Sequence, residues 1–315
     1  MKKTYLLILF IFIVIQGYTQ NSSRSINAIR VSNPPKIDGK LDEALWINVP
    51  VASNFTQVEP INGEPSRKRT EVKVVYDNTA IYVGAMMYDD EPDKILKELG
   101  KRDAGENNAD IFAVFFDTYN DDINAFAFTV SASGVQSDIK FSANGAAFVW
   151  DAVWQSKVSI VENGWVAELK IPYSAIRFSD QLEQTWGINF IRIIRRYREK
   201  SSWNLFDLSV DGFVNQFGEL NGIEDIKSPI RLSVMPYLSA YMEHYPFNIE
   251  GKSNLSYSFN GGMDLKYGLS ESFTLDMTIV PDFGQVRSDN EVLNLSPFEV
   301  RYDENRQFFT EGTEL

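Results

Sequence analysis

Between residues 71 and 194 one pattern recurs: a run of β-branched and aromatic residues, a short polar turn, then another such run. Glu71–Tyr76 and Ala80–Tyr88 flank Asp77-Asn78-Thr79, a hairpin with turn residues where turn geometry wants them. Ile111–Phe116 and Ala125–Val130 flank the polar turn Asp117–Asp122. Val153–Val161 and Gly164–Ile171 meet at Glu162-Asn163, and Trp186–Ile194 adds a further strand. Strands at this spacing, with short turns between them, predict an all-β antiparallel sandwich rather than a βα repeat. Helical pattern is confined to a turn or two at Leu41–Trp46 and at Asp93–Leu99.

Past Lys227-Ser228-Pro229 the texture changes, and apolar residues alternate more strictly with polar or small ones. Leu255–Phe259, Met263–Leu269 and Phe273–Ile279 are the clearest cases, the last two joined at Ser270-Glu271-Ser272. Their lengths approach the ~9–11 residues of a tilted barrel strand. Period-two alternation alone fits any half-buried sheet. The expectation is a sandwich over residues 21–227, followed over 228–315 by the first strands of a β-barrel of the outer-membrane type.

The N-terminus sets the compartment. Met1-Lys2-Lys3, an apolar run from Leu6 to Ile15 and small residues at Gly17 and Thr19 have the order of a secretory signal peptide, here residues 1–20. The run is too short to span a ~30 Å hydrocarbon core unaided. The chain is therefore expected in the periplasm or the outer membrane. It has no cysteine, so stability rests on the core rather than on disulfides. At 44% hydrophobic and 13% aromatic residues it carries enough apolar surface to fold. Net charge is −13, and −15 once Lys2 and Lys3 leave with the leader, which excludes nucleic acid as the expected partner.

Four segments carry a family resemblance. Ile37-Asp-Gly-Lys-Leu-Asp-Glu-Ala-Leu-Trp46 is similar to the opening of family-9 carbohydrate-binding-module-like domains. Val74–Val83 with Asp89-Asp-Glu-Pro92 resembles their second signature, Asp110–Asp117 their central strand, and Gly164-Trp-Val-Ala-Glu-Leu-Lys-Ile-Pro172 a late segment. The remainder, through Phe217–Gly222, Pro236-Tyr237, Asp282–Val286 and Asn305–Gly312, resembles large Gram-negative proteins in which such a sandwich precedes an uncharacterised outer-membrane barrel. Because barrels close to remove their edges, the resemblance implies that this sequence is a piece of a longer protein, with outer-membrane lipid around its C-terminal part.

The resemblance implies a glycan or oligosaccharide as ligand. Sugar recognition needs flat aromatic faces, with amide, carboxylate or guanidinium groups for the hydroxyls. The family clamps its sugar between two tryptophans, and Trp203, in the polar stretch Arg198–Asn204, falls where the later one stands. The earlier one falls where this chain has Gly105-Glu-Asn-Asn108, without an aromatic. Trp154, Arg192 and Arg196 complete the candidate set, the two arginines read as sharing one strand face. For a metal, Asp117, Asn120, Asp121 and Asp122 bunch in one turn that could supply oxygens to Ca²⁺, though without the spacing of a calcium loop. Asp89, Asp90 and Glu91 form a second acidic turn.

Leu41, Leu45 and Trp46 read as a short apolar seal on the sandwich, and Glu168 as a buried hydrogen-bonding group or an ion-pair partner rather than a catalyst. No catalytic residue is assigned. The only histidine, His244, lies in the barrel segment, which excludes a Ser-His-Asp device in the sandwich. A glycosidase needs only two carboxylates, and nothing marks a pair among 43 acidic residues. Three readings remain at this stage: a carbohydrate-binding module linked to glycan recognition, catabolism or uptake; an O-glycosyl hydrolase; and a plug or gate of a transport barrel that binds no sugar.

Overall fold

A computed structural model describes residues 23–103, 108–148, 150–230, 232–246, 250–251, 253–269 and 273–280. Residues 1–20, expected as a leader, the stretch Gly105–Glu106–Asn107 and the segments Asp282–Val286 and Asn305–Gly312 lie outside the described residues. Within them the strands, in chain order, are β1 (Ser25–Asn27), β2 (Ile29–Arg30), β3 (Thr56–Glu59), β4 (Thr70–Tyr76), β5 (Ala80–Tyr88) and β6 (Ile111–Asp117). They continue with β7 (Ala125–Ser131), β8 (Gln136–Ser142), β9 (Gly145–Ala147), β10 (Gln155–Val161), β11 (Gly164–Pro172) and β12 (Glu183–Ile194). The series closes with β13 (Glu199–Ser202), β14 (Gly218–Glu224), β15 (Leu232–His244), β16 (Leu255–Gly268) and β17 (Thr274–Ile279). The expected hairpins are all present, and helical structure among the described residues is limited to single 3-10 turns.

Strand order makes the sandwich. One sheet runs β10-β11-β5-β4-β2 and the other β1-β14-β12-β6-β7-β8-β9, with β13 and β3 attached beside β12. Alternation supplies the core between them. Val72, Val74, Ile81, Val83, Trp165, Ala167 and Leu169 come from the first sheet; Phe112, Val114, Phe116, Phe126, Phe128, Trp186, Ile188 and Phe190 come from the second. The pattern places position 192 inward as well, and there the sequence puts an arginine.

Both outer faces are covered by chain. On the five-stranded sheet, Ile37, Leu41, Leu45 and Trp46 pack over Val75, Ala80 and Tyr82. The predicted seal is thus a 3-10 turn, Ala44–Trp46, lying on an outer sheet face. Gly84 makes this possible, since a Cβ there would stand 2.6 Å from Leu41 and 3.0 Å from Trp46. Glu168 locks the same segment. Its carboxylate is fully buried, and one oxygen accepts the N–H groups of Asp38 (2.9 Å), Gly39 (2.7 Å) and Lys40 (3.2 Å). On the nine-stranded sheet, Phe206, Val214 and Phe217 cover Ala113, Phe115, Ala127 and Ile191.

β15, β16 and β17 form a separate antiparallel sheet with a different economy of faces. Register sets Leu232, Val234, Leu238 and Met242 beside Leu255, Tyr257, Phe259, Leu265 and Tyr267, and these beside Leu275, Met277 and Ile279. The opposite face carries Ser233, Ser239, Glu243, Ser256, Ser258, Asp264, Thr274 and Thr278 together with Met235, Tyr237 and Tyr241, and an ion pair between Lys266 and Asp276 at 3.8 Å. Most of the apolar face is exposed, Leu238 and Phe259 most of all. The two segments expected on either side of Asn260 are one strand. Gly261 does not turn the chain; it leaves room for Leu238, which a Cβ would approach to 2.9 Å. β15 went unmarked in the sequence because Pro236 interrupts it, and an edge strand tolerates a proline.

Candidate ligand site

The cavity begins where β12 turns back into β13. The strand alternation stops at Ile194, and Arg195–Tyr197 form a 3-10 turn whose C-cap, Arg198, is left-handed (φ 50°, ψ 35°). Ile193, Arg195, Arg198, Glu199 and Lys200 from this corner, with Glu59 at the end of β3 and Asn108 ahead of β6, line a cavity of about 460 Å³. That size lies within the ~300–1,000 Å³ of small-molecule sites. Asn108 is tethered through its N–H to the Glu98 carboxylate at 3.1 Å.

Beneath the corner lies a buried ionic layer. Arg192 is 0% exposed, and its guanidinium donates to the carbonyls of Arg69 and Tyr88, both at 2.9 Å, and to the Thr70 hydroxyl at 3.2 Å. Burial lowers its pKa to about 10, against the pull of Asp110, Asp89 and Glu199, so it remains a cation at neutral pH. Asp110 accepts the Arg195 N–H at 3.0 Å, and burial pushes its carboxyl up. Asp89 accepts from Arg196 at 2.8 Å; burial opposes its ionisation, but Arg196 and the Glu91 N–H outweigh that and hold it low. Glu199 accepts the Ser66 and Ser201 hydroxyls, both at 2.8 Å, and the Arg67 N–H at 3.1 Å. These three carboxylates fix the backbone that presents Arg195, Arg198 and Lys200.

Several expected site residues are elsewhere, and each for a physical reason. Trp203 is no exposed platform: it is 3% exposed, packs tilted against Phe190 with ring centres 5.7 Å apart and lies over Gly218, where a Cβ would come within 2.7 Å of its ring. The polar stretch around it is strand β13, whose two serines are buried, the Ser201 hydroxyl bonded to Glu199 and Ser66. Trp154 is 5% exposed, packs 5.4 Å from Phe128 and donates its indole N–H to Asp138 at 3.1 Å. Arg192 faces the sandwich interior. Arg196 is not on its strand face, because the strand has ended, and it binds Asp89 while lying 4.6 Å from the Tyr197 ring centre. Arg195, Arg198, Lys200, Asn108 and Glu59 were not foreseen as a set; the density of arginines at 192–198 was the one signal pointing there.

The acidic turn is bonded largely within itself. Asp117 is buried and accepts the N–H groups of Asp121 (3.3 Å) and Asp122 (2.8 Å), while Asp121 accepts those of Ile123 and Asn124. Asn120 and Asp122 take positive φ to close the turn. These carboxylates satisfy their own loop, and Asp117, Asp121 and Asp122 do not converge as a metal-holding group. Among the described residues the carboxylates that do converge are Asp103, Asp138 and Asp151, and the Arg102 guanidinium pairs with all three. Asp89, in the second acidic turn, is taken up by Arg196 and Lys68.

Fold and cavity define a two-layer antiparallel β-sandwich with a polar hollow at one corner. Residues 37–195 match the family described as carbohydrate family 9 binding domain-like, and the chain belongs to this family. Residues 228–315 match a domain of unknown function (DUF5916). A protein from Bacteroides uniformis described as carbohydrate-binding is 14% identical with a TM-score of 0.50, over 64% of this chain and 100% of its own; that likeness shows the fold. A carbohydrate-binding module of family 9 from Caldicellulosiruptor kristjanssonii, solved with cellotriose, is 18% identical with a TM-score of 0.46, covering 64% and 96%. No curated protein matches the chain.

Proposed function

We propose that this chain is an exported carbohydrate-binding protein, serving glycan recognition, catabolism or uptake, whose sandwich holds an oligosaccharide at the β12–β13 corner. The observation that carries the reading is the lining of the cavity in a member of a carbohydrate-binding family. Guanidinium, ammonium and amide donors from Arg195, Arg198, Lys200 and Asn108 face one hollow with the Glu59 carboxylate. Such a set serves the paired donor and acceptor needs of vicinal hydroxyls. The leader-like N-terminus supports export. The β15–β17 sheet, largely apolar on one face and mixed but more polar on the other, supports an outer-membrane β-barrel whose apolar face meets lipid.

A glycan-array screen of the full chain in detergent micelles tests this. Saturable binding to a defined glycan class is expected, weakened by Asn108→Ala and by Lys200→Ala at unchanged melting temperature. Absence of binding across the array, by folded protein, would sink the reading. One observation favours the plug or gate instead: five of the six tryptophans are buried and the sixth, Trp150, is half-buried against Phe126 and Phe128, so none stands as an open sugar-stacking platform. Under that alternative, deleting the sandwich alters flux through the barrel, and no glycan protects the sandwich from thermal unfolding.

A further inference from the structure

The hollow is cationic in a chain of net charge −13. Resting on the carbohydrate-binding reading, we infer that its ligand is an acidic glycan, with a uronate carboxylate docked on the Arg198 guanidinium. The lining holds three cations and two carboxylates, Glu59 and Glu199. Both carboxylates already face cations of their own. Glu199 is fully buried and pairs with Arg67 at 3.4 Å. Glu59 stands opposite Lys200 in the β3–β13 register; burial lowers the Lys200 pKa and the Glu59 carboxylate works against that. The surplus positive field is thus at the mouth, where Arg198 is exposed.

The backbone there is an independent observation. Arg198 is left-handed at φ 50°, a conformation that costs a non-glycine side chain roughly 1 kcal/mol. Its N–H closes the turn onto the Arg195 carbonyl at 3.0 Å, and Asp110 and Asp89 hold that turn from below. Glycine would make the corner without that cost, so Arg198→Gly removes the side chain while keeping the turn. A neutral hexose needs only donors and acceptors of the kind Asn108 and Glu59 supply. A guanidinium fork adds bidentate recognition of a carboxylate.

The test titrates the full chain, in detergent micelles, with trigalacturonic acid, with its methyl ester and with cellotriose. The acid is expected to bind at least about tenfold more tightly than its ester, with the preference shrinking as salt rises. Arg198→Ala should weaken acid binding about 10- to 100-fold and ester binding by only a few fold, so that the preference for the acid collapses. Arg198→Lys should restore part of the loss, and Arg198→Gly, which relieves the backbone, should restore none. Equal affinity for acid and ester, indifferent to Arg198→Ala, overturns the acidic ligand while leaving the carbohydrate reading intact. No binding of the acid also overturns it, and the glycan array then decides the broader reading on its own.

Discussion

Removing the Glu168 carboxylate should loosen the segment that covers the five-stranded sheet. Three backbone N–H groups, at Asp38, Gly39 and Lys40, end on one of its oxygens. In Glu168→Ala, the buried Gly39 donor loses its partner at a cost of ~1–3 kcal/mol, while those of Asp38 and Lys40, nearer the surface, rehydrate at smaller cost. The expected loss is about 2–4 kcal/mol. For a domain of this size that lowers the melting temperature by about 5–15 °C. Glu168→Gln keeps an acceptor and should lose much less. Burial, working against the three N–H bonds and aided by Glu43, raises the Glu168 pKa from 4.5 to about 7. A folded-state pKa above the unfolded one means a stability contribution complete below about pH 4.5 and lost as pH rises through 7. Wild type should therefore lose stability relative to Glu168→Gln between those values. Calorimetry across pH, with amide exchange at Asp38, Gly39 and Lys40, reads both effects. The reasoning fails if Glu168→Ala melts with wild type and those three amides exchange no faster.

Trp203→Ala should destabilise by about 3–5 kcal/mol, as Trp165→Ala should, because both rings are buried core; a Trp203→Ala variant that melts like wild type but loses sugar would restore the exposed platform. Gly218→Ala should cost about 1–3 kcal/mol, because its Cβ would stand 2.5 Å from the Arg24 carbonyl oxygen as well as against Trp203; chemical denaturation measures it, and a neutral result refutes the packing. Saturating Ca²⁺ should leave the melting temperature unchanged, since Asp117 and Asp121 are occupied by backbone N–H groups. A calcium-dependent rise of several degrees that Asp117→Asn abolishes would show the turn to be a site after all, at ~2.7 kcal/mol for a hundredfold excess over Kd.

Period-two runs and turn residues were enough to read the hairpins β4–β5, β6–β7 and β10–β11, and the all-β class, because strand alternation is a local property of the chain. Glu168 was also legible, as a lone carboxylate inside a buried strand. What lay beyond the sequence is pairing between distant segments. The polar run at 199–202 reads as a loop until β12 and β3 flank it; then its serines are buried and Trp203 is core. Arg192 reads as a surface contact until the opposite sheet offers it the Arg69 and Tyr88 carbonyls. The cavity itself gathers residues 59, 108 and 193–200, and no local pattern links positions whose only relation is tertiary. Alternation determines which side of a strand a residue takes; only the packed sheets decide whether that side meets water, a partner or the core.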